Sequence, residues 1–227
     1  MIVVEAVTHA FDPDPPVLVD VSVTLHERRI GVIGANGSGK TTFARLLNGL
    51  VVPTKGRVTV DGFDTRRQAR DVRARVGFLF QDPDNQIVMP LVEEDVAFSL
   101  KPLRLDAVER QARVGAVLER YGLSALRGHP AHALSGGQKQ LLALSSVLVR
   151  DPAYLVLDEP TTLLDLKNRR LVEQAIDGLD ATVVCVSHDL DLMRRFDRIL
   201  VFEAGRLVFD GPADAAISFY VDSQTCC

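Results

Sequence analysis

Apolar positions along the 227-residue chain fall into two rhythms. Short runs rich in Val and Ile, bounded by Gly, Asp and Pro, occur at Ile2 to Val7, Val21 to Leu25, Arg57 to Val60 and Val76 to Phe80. Further runs occur at Tyr154 to Leu157, Thr182 to Val186, Ile199 to Phe202 and Leu207 to Phe209. Such runs predict strands. The later ones alternate with helical patterns, so an α/β fold with parallel strands and helical crossovers is expected. Between Gln81 and Leu134 the rhythm changes. Glu93 to Leu100 and Ala107 to Tyr121 read as helices, separated by Pro102 and closed by Gly122. This predicts a helical lobe, 82–133, inserted into a core built from 1–80 and 134–227. The Pro-rich stretch from Asp12 to Pro16 reads as a loop between two N-terminal strands.

Composition narrows the class without naming a chemistry. There are 26 Lys and Arg against 30 Asp and Glu, a formal charge of −4, which gives no support to a nucleic-acid footprint. Five arginines between Arg66 and Arg75 read as a solvated helix face. The longest strongly apolar stretch, Leu141 to Val149, is far short of the roughly 18 residues that span a bilayer. Met1 to Glu5 lacks a basic segment followed by an apolar one, so a cytoplasmic protein is expected. Three cysteines, Cys185 in an apolar run and the vicinal Cys226 and Cys227, provide no disulfide framework.

The candidate chemistry begins at Gly34-Ala35-Asn36-Gly37-Ser38-Gly39-Lys40-Thr41, which fits G-x-x-x-x-G-K-[ST]. Ile30 to Ile33 precedes it as a strand. Phe43, Leu46, Leu47 and Leu50 follow at i, i+3, i+4 and i+7, predicting a helix from Lys40 whose N-terminus faces the loop. Such an end binds anions. The glycines let backbone N–H groups close on phosphate oxygens, Lys40 supplies a point charge, and the Thr41 hydroxyl can ligate Mg²⁺. Downstream, Tyr154-Leu155-Val156-Leu157-Asp158-Glu159 delivers two carboxylates to the carboxyl end of a strand. Asp158 suits the metal and Glu159 the attacking water. A third segment, Leu134-Ser135-Gly136-Gly137-Gln138, opens another helix and offers a second phosphate cradle.

In this order, together with Gln81 and Ser187-His188-Asp189, the segments resemble the ATP-binding cassette ATPases over nearly the whole chain. The resemblance implies a P-loop fold with a mixed sheet, a RecA-like core with N-terminal antiparallel strands and a helical subdomain. ATP is implied as substrate, held by Phe11 through adenine stacking and by Gly34 to Thr42 (Gly34, Ala35, Asn36, Gly37, Ser38, Gly39, Lys40, Thr41, Thr42). Thr41, Gln81 and Asp158 would surround Mg²⁺, and Glu159, His188 and Gln81 would be catalytic. Ser135, Gly136, Gly137 and Gln138 would bind the ATP of a second ATPase subunit in a head-to-tail dimer, with Asp165 at the interface. Leu163 departs from the family, which usually has a small residue there. A guanine-reading Asn-Lys-x-Asp segment is missing, so a GTPase with Cys226 and Cys227 as a prenylation signal does not fit.

Phe80-Gln81-Asp82-Pro83-Asp84-Asn85-Gln86-Ile87, followed by Val92 to Phe98, looks like the ATPases of energy-coupling factor importers for vitamins and for cobalt or nickel. Asp84, Asn85 and Gln86 would couple to a membrane partner. The segments Glu27 to Gly34 and Thr161 to Asn168 resemble the ATPases of biotin importers. The partners implied are a second ATPase subunit, a transmembrane scaffold and a membrane substrate-binding subunit, with this chain peripheral on the cytoplasmic face. The alternatives are an importer ATPase for cobalt, nickel or another vitamin, and a soluble cassette ATPase outside transport.

Overall fold

Every position of the run at Tyr154 to Asp158 is buried, and the segments on either side of it in space are equally apolar. Strands covered on both faces pair in parallel, and this is the case here. The computed structural model describes residues 1–162 and 164–225, so Leu163, Cys226 and Cys227 lie outside the described residues. The first elements are β1 (Ile2–His9), β2 (Leu18–Leu25), β3 (Arg29–Gly34), α1 (Lys40–Leu47), β4 (Lys55–Val60), β5 (Phe63–Asp64), α2 (Ala69–Arg75) and β6 (Val76–Leu79). Then come α3 (Val92–Ser99), α4 (Ala107–Arg120), α5 (Gly136–Leu148), β7 (Tyr154–Asp158) and α6 (Leu166–Asp177). The chain continues through β8 (Thr182–Val186), α7 (Leu190–Met193), β9 (Arg198–Glu203), β10 (Arg206–Gly211) and α8 (Ala213–Thr225).

These elements form two compact units. The first comprises Met1–Gly77, Ala153–Glu159 and the chain from Ala181 onward. It holds an antiparallel sheet of order β2-β1-β4-β5 and the strands β10-β9-β3-β8-β7, in that order, of a mixed sheet. In the mixed sheet β9, β3, β8 and β7 run parallel, and β10 closes one edge antiparallel to β9. The register places both Val32 and Asp158 opposite Val186. The residues that follow β3, β7 and β8 therefore leave the sheet at one level, along its carboxyl edge.

Helix α1 packs against β3, β4, β7 and β8 and buries Phe43, Leu46 and Leu47 completely. The helical period stops there. Asn48 caps the end, Gly49 takes a left-handed φ of 69°, and Leu50 is 44% exposed, contrary to its expected place on the buried face. Arg70, Arg73 and Arg75 of the arginine run lie on α2, which buries only Val72, while Arg66 and Arg67 lie in the turn before it; residues 12–16 form the expected loop. Helix α8 was not anticipated by any periodic signal: its buried side chains are Ala213, Ala216 and Ile217.

The second unit comprises Phe78–Pro152 and Pro160–Asp180. It is wider than the 82–133 lobe read from sequence because it also takes in α5 and α6. Helix α5 buries Leu141, Leu142, Ala143 and Leu144 and packs against α3, α4 and α6, so it clusters with them. Asp95 on α3, only 3% exposed, fixes this unit. Its Oδ1 accepts from the backbone N–H of Val88 (2.8 Å) and Met89 (3.0 Å), and Oδ2 accepts from the Ser146 hydroxyl of α5 at 2.8 Å. Asp95→Ala removes the acceptor of three donors, one of them the buried Ser146 hydroxyl, and is expected to cost about 2 kcal/mol in denaturant unfolding, with Asp95→Asn losing markedly less.

Candidate nucleotide-binding site

The loop after β3 is shaped by glycine. Gly34 has a φ of 149°, and a Cβ there would meet Ser38 Oγ at 2.8 Å and the Phe202 carbonyl closer still. Gly39, at a φ of 99°, is the N-cap of α1, and its Cβ would stand 2.7 Å from a Leu18 methyl and 2.9 Å from the Val17 carbonyl. Both positions combine backbone that L-residues rarely adopt with close approach of a neighbouring strand. A turn closed by Ser38 N–H on the Ala35 carbonyl (3.2 Å) leaves Asn36 and Gly37 at the tip. The first N–H groups of α1, including those of Thr41 and Thr42, have no partner inside the helix, and they meet the loop at the positive end of the helix dipole.

Lys40 is 8% exposed, and its Nζ donates to the carbonyls of Gly34 and Ala35, both at 2.8 Å. Burial lowers its pKa, opposed by the charges of Glu159 and Asp158. The ammonium is thus held by weak neutral acceptors that phosphate oxygens can replace. The Thr41 hydroxyl donates to Asp158 Oδ1 at 3.0 Å. Asp158 is 2% exposed, and burial raises its pKa although the Thr41 bond pulls it down.

Glu159 follows with a φ of 51°, a left-handed conformation that costs about 1 kcal/mol in a residue with a side chain. Its N–H still pairs with the Val186 carbonyl at 2.9 Å, so the strand carries the turn to the edge of the sheet. Glu159 Oε2 lies 2.8 Å from His188 Nδ1 and accepts from the Ser187 hydroxyl at 3.4 Å. A carboxylate only accepts, so the proton of this bond belongs to Nδ1, and Nε2 of the exposed His188 is the free end of the ring. Asp189 caps α7 by accepting from the N–H groups of Asp191 and Leu192, which sets the turn that presents His188.

Phe11 stands in the loop after β1, 45% exposed, with its ring edge-on to His9 at 4.6 Å. The loop is tied beside the glycines, because Val17 N–H donates to the His9 carbonyl and the Val17 carbonyl borders Gly39. Tyr220, Ser223 and Gln224 of α8 line a cavity of about 150 Å³ with Ala35 to Ser38, a neighbour of the loop that the sequence did not reveal. Lys40, Thr41, Asp158, Glu159, His188 and Phe11 thus all belong to the first unit.

The remaining candidates belong to the second unit. Ser135 caps α5 in a reciprocal box: its Oγ accepts from Gln138 N–H at 3.4 Å, and Gln138 Oε1 accepts from Ser135 N–H at 2.9 Å. Ser135 and Gly136 are exposed, whereas Gly137 is buried. The capping box leaves the Ser135 hydroxyl hydrogen and the N–H groups of Gly136 and Gly137 outside the helical ladder. Gln81 is exposed and shares a cavity of about 340 Å³ with Asp84, Gly136 and Lys139. Lys139 Nζ binds Asp84 Oδ1 at 2.7 Å, and Asn85 donates to Asp82 Oδ2 at 3.2 Å. Gln86 is used internally: it accepts from Phe80 N–H at 3.1 Å and donates to the Ala143 carbonyl of α5 at 3.1 Å. Asp165 Oδ1 caps α6 by accepting from Asn168 N–H at 2.8 Å.

The family model for the ABC transporter matches residues 18–162 of the chain, from β2 to just past Glu159. The chain belongs to the ABC transporter family. It is 53% identical to the biotin transport ATP-binding protein BioM of Rhizobium etli, over 89% of this chain and 90% of that one. Identity to the energy-coupling factor transporter ATP-binding protein EcfA1 of Symbiobacterium thermophilum is 44%, over 92% of this chain and 78% of that protein. Among solved structures, the ATP-binding cassette MJ0796, a dimer in a post-hydrolysis state bound to ADP and Pi, superposes with a TM-score of 0.84 at 26% identity, covering 94% and 99% of the two chains. The fold is that of the ABC ATPase nucleotide-binding domain, and the chain is an ABC transporter ATPase.

In the protein without nucleotide, the buried charge of Asp158 opposes folding. Its folded pKa is raised, so the group favours the fold only at pH low enough to protonate it and weakens the fold as pH rises through that raised value. Above that raised value the penalty is fully present. Asp158→Asn, which keeps an acceptor for Thr41, is therefore expected to raise the nucleotide-free Tm at pH 7, read by calorimetry.

Proposed function

We propose that this ABC transporter ATPase is the ATP-hydrolysing subunit of an energy-coupling factor importer for biotin, acting as a head-to-tail homodimer on the cytoplasmic face of the membrane. The observation that carries the catalytic part is the Glu159–His188 pair standing at the same sheet edge as Lys40, Thr41 and Asp158. The transport assignment rests on the likeness to BioM and EcfA1 and on the Asp82 to Gln86 turn. No helix among the described residues is long and apolar enough to cross a membrane, so membrane attachment would come through other chains.

The phosphates of ATP would lie at the N-terminus of α1, where Lys40 exchanges the Gly34 and Ala35 carbonyls for phosphate oxygens. Phe11 presents an exposed ring for the adenine face. The Thr41 hydroxyl and the Asp158 carboxylate are hard oxygen donors 3.0 Å apart, and a buried carboxylate with a raised pKa gains from a divalent cation. These two would hold Mg²⁺, which supplies charge compensation for the phosphate oxygens. Glu159 would accept a hydrogen bond from the attacking water and orient it in line with the γ-phosphate. With Nδ1 committed to Glu159, His188 can donate to a phosphate oxygen only from Nε2, which requires the imidazolium form. The γ-phosphate would be enclosed by Ser135 and Gly136 of the partner copy, whose hydroxyl and helix N–H groups complete the charge stabilisation.

In the second unit, Asp84 is bound to Lys139, one residue past Gln138, while Gln86 is bound to the middle of α5. A membrane subunit pressing on Asp84 and Asn85 would move the helix that carries Ser135, with Gln86 transmitting rather than contacting. Glu159→Gln is expected to lower kcat by about 10²-fold or more without lowering ATP affinity, measured by phosphate release and isothermal titration. The tagged chain, purified from detergent-solubilised membranes, is expected to bring down a small membrane scaffold and a substrate-binding membrane protein with bound biotin. Bound cobalt or nickel would transfer the cargo assignment, and recovery of soluble partners alone would overturn the transport role.

A further inference from the structure

The two glycines of the Ser135 segment face different surroundings. A Cβ at Gly136 would project into open space, whereas a Cβ at Gly137 would stand inside the side chain of Asn168, 2.7 Å from its Cβ and nearer still to its carboxamide. Both residues belong to the second unit. Asn168 lies in the first turn of α6, and its backbone N–H is the group that Asp165 caps at 2.8 Å. Asn168 also borders a cavity of about 500 Å³, shared with Tyr121, Gln138 and Leu171. Asn168 is therefore packed against the α5 backbone at Gly137.

We propose that Asn168 is a positioning residue that links Asp165 to the N-terminus of α5, fixing how Ser135 and Gly136 are presented to the partner's nucleotide. The link has two joints: the cap, through which Asp165 sets the backbone at Asn168, and the contact, through which the Asn168 carboxamide sets Gly137. The inference rests on the head-to-tail reading above.

The test is a double-substitution cycle in full-length Glu159→Gln protein, reading the MgATP concentration that gives half-maximal dimer by light scattering. Gly137→Ala is expected to raise that concentration about tenfold, and adding Asn168→Gly, which clears the space, to recover most of the loss. Asn168→Gly alone is expected to raise it about threefold, because the helix end is then unsupported. ATP affinity of the monomer, which reports the Lys40 loop, and thermal unfolding accompany each variant and separate positioning from collapse of the fold. If Gly137→Ala is equally damaging with and without Asn168→Gly, or is harmless in the Asn168 background, the inference is overturned. If the Glu159→Gln parent forms no dimer with MgATP, the head-to-tail reading itself fails, before either position is altered, and the inference falls with it.

Discussion

The parallel pairing of β3 with β8 and of β8 with β7 is the constraint on which the catalytic edge depends. Because Val32 and Asp158 share the level of Val186, the glycine loop, Glu159 and His188 begin within a residue or two of one line. The pairing is driven by burial of nearly uninterrupted Val, Ile and Leu, which excludes water and makes each missed backbone hydrogen bond costly. A slip of one residue in β7 would turn Asp158 away from Thr41 and break the Glu159–Val186 bond. Chemistry at this edge is thus specified by side chains that never touch a ligand.

That edge carries charges that burial disfavours. Lys40 and Asp158 have pKa values shifted toward their neutral forms, and Glu159 takes a left-handed backbone. The two buried charges are costs in the protein alone, which an anionic ligand at Lys40 and a cation at Asp158 would offset. The second unit is built differently. Its order comes from helix caps and buried polar ties: Ser135 with Gln138, Asp165 with Asn168, Gln86 with Ala143, and Asp95 with Ser146. Such ties hold helix ends in register while leaving Ser135 and Gly136 exposed.

Much of this was legible in the residues because the chemistry demands fixed spacing. Gly34 to Thr41 and Asp158-Glu159 could be read directly, since a phosphate loop needs glycine where the backbone is left-handed and a strand end delivers adjacent carboxylates. What escaped reading depends on three-dimensional neighbours. Leu50 keeps the helical period, but Gly49 ends the helix before it. Asp95 reads as one of three acids in a first helical turn, and only packing distinguishes it from the exposed Glu94 face. Gln86 reads with Asp84 and Asn85 as a residue that couples to a membrane partner, yet both ends of its amide are used internally. Gly136 and Gly137 look equivalent in sequence and differ entirely in what surrounds them. The unit boundary also lies elsewhere than at the change in rhythm, because α5 is apolar enough to be shared by a helical cluster.

The account holds that one complete site needs the Lys40 loop of one chain and the Ser135 segment of another. Mixing two inactive proteins tests this most directly: Lys40→Ala, with an intact α5 end, and Gly136→Asp, whose new carboxylate would occupy the open space in front of that end. Half of randomly mixed dimers would contain one of each, with one complete site, so ATPase activity should return to about a quarter of the wild-type level. Activity that stays at the sum of the two separate proteins would show that the loop and the Ser135 segment act within one chain, and would contradict the composite site.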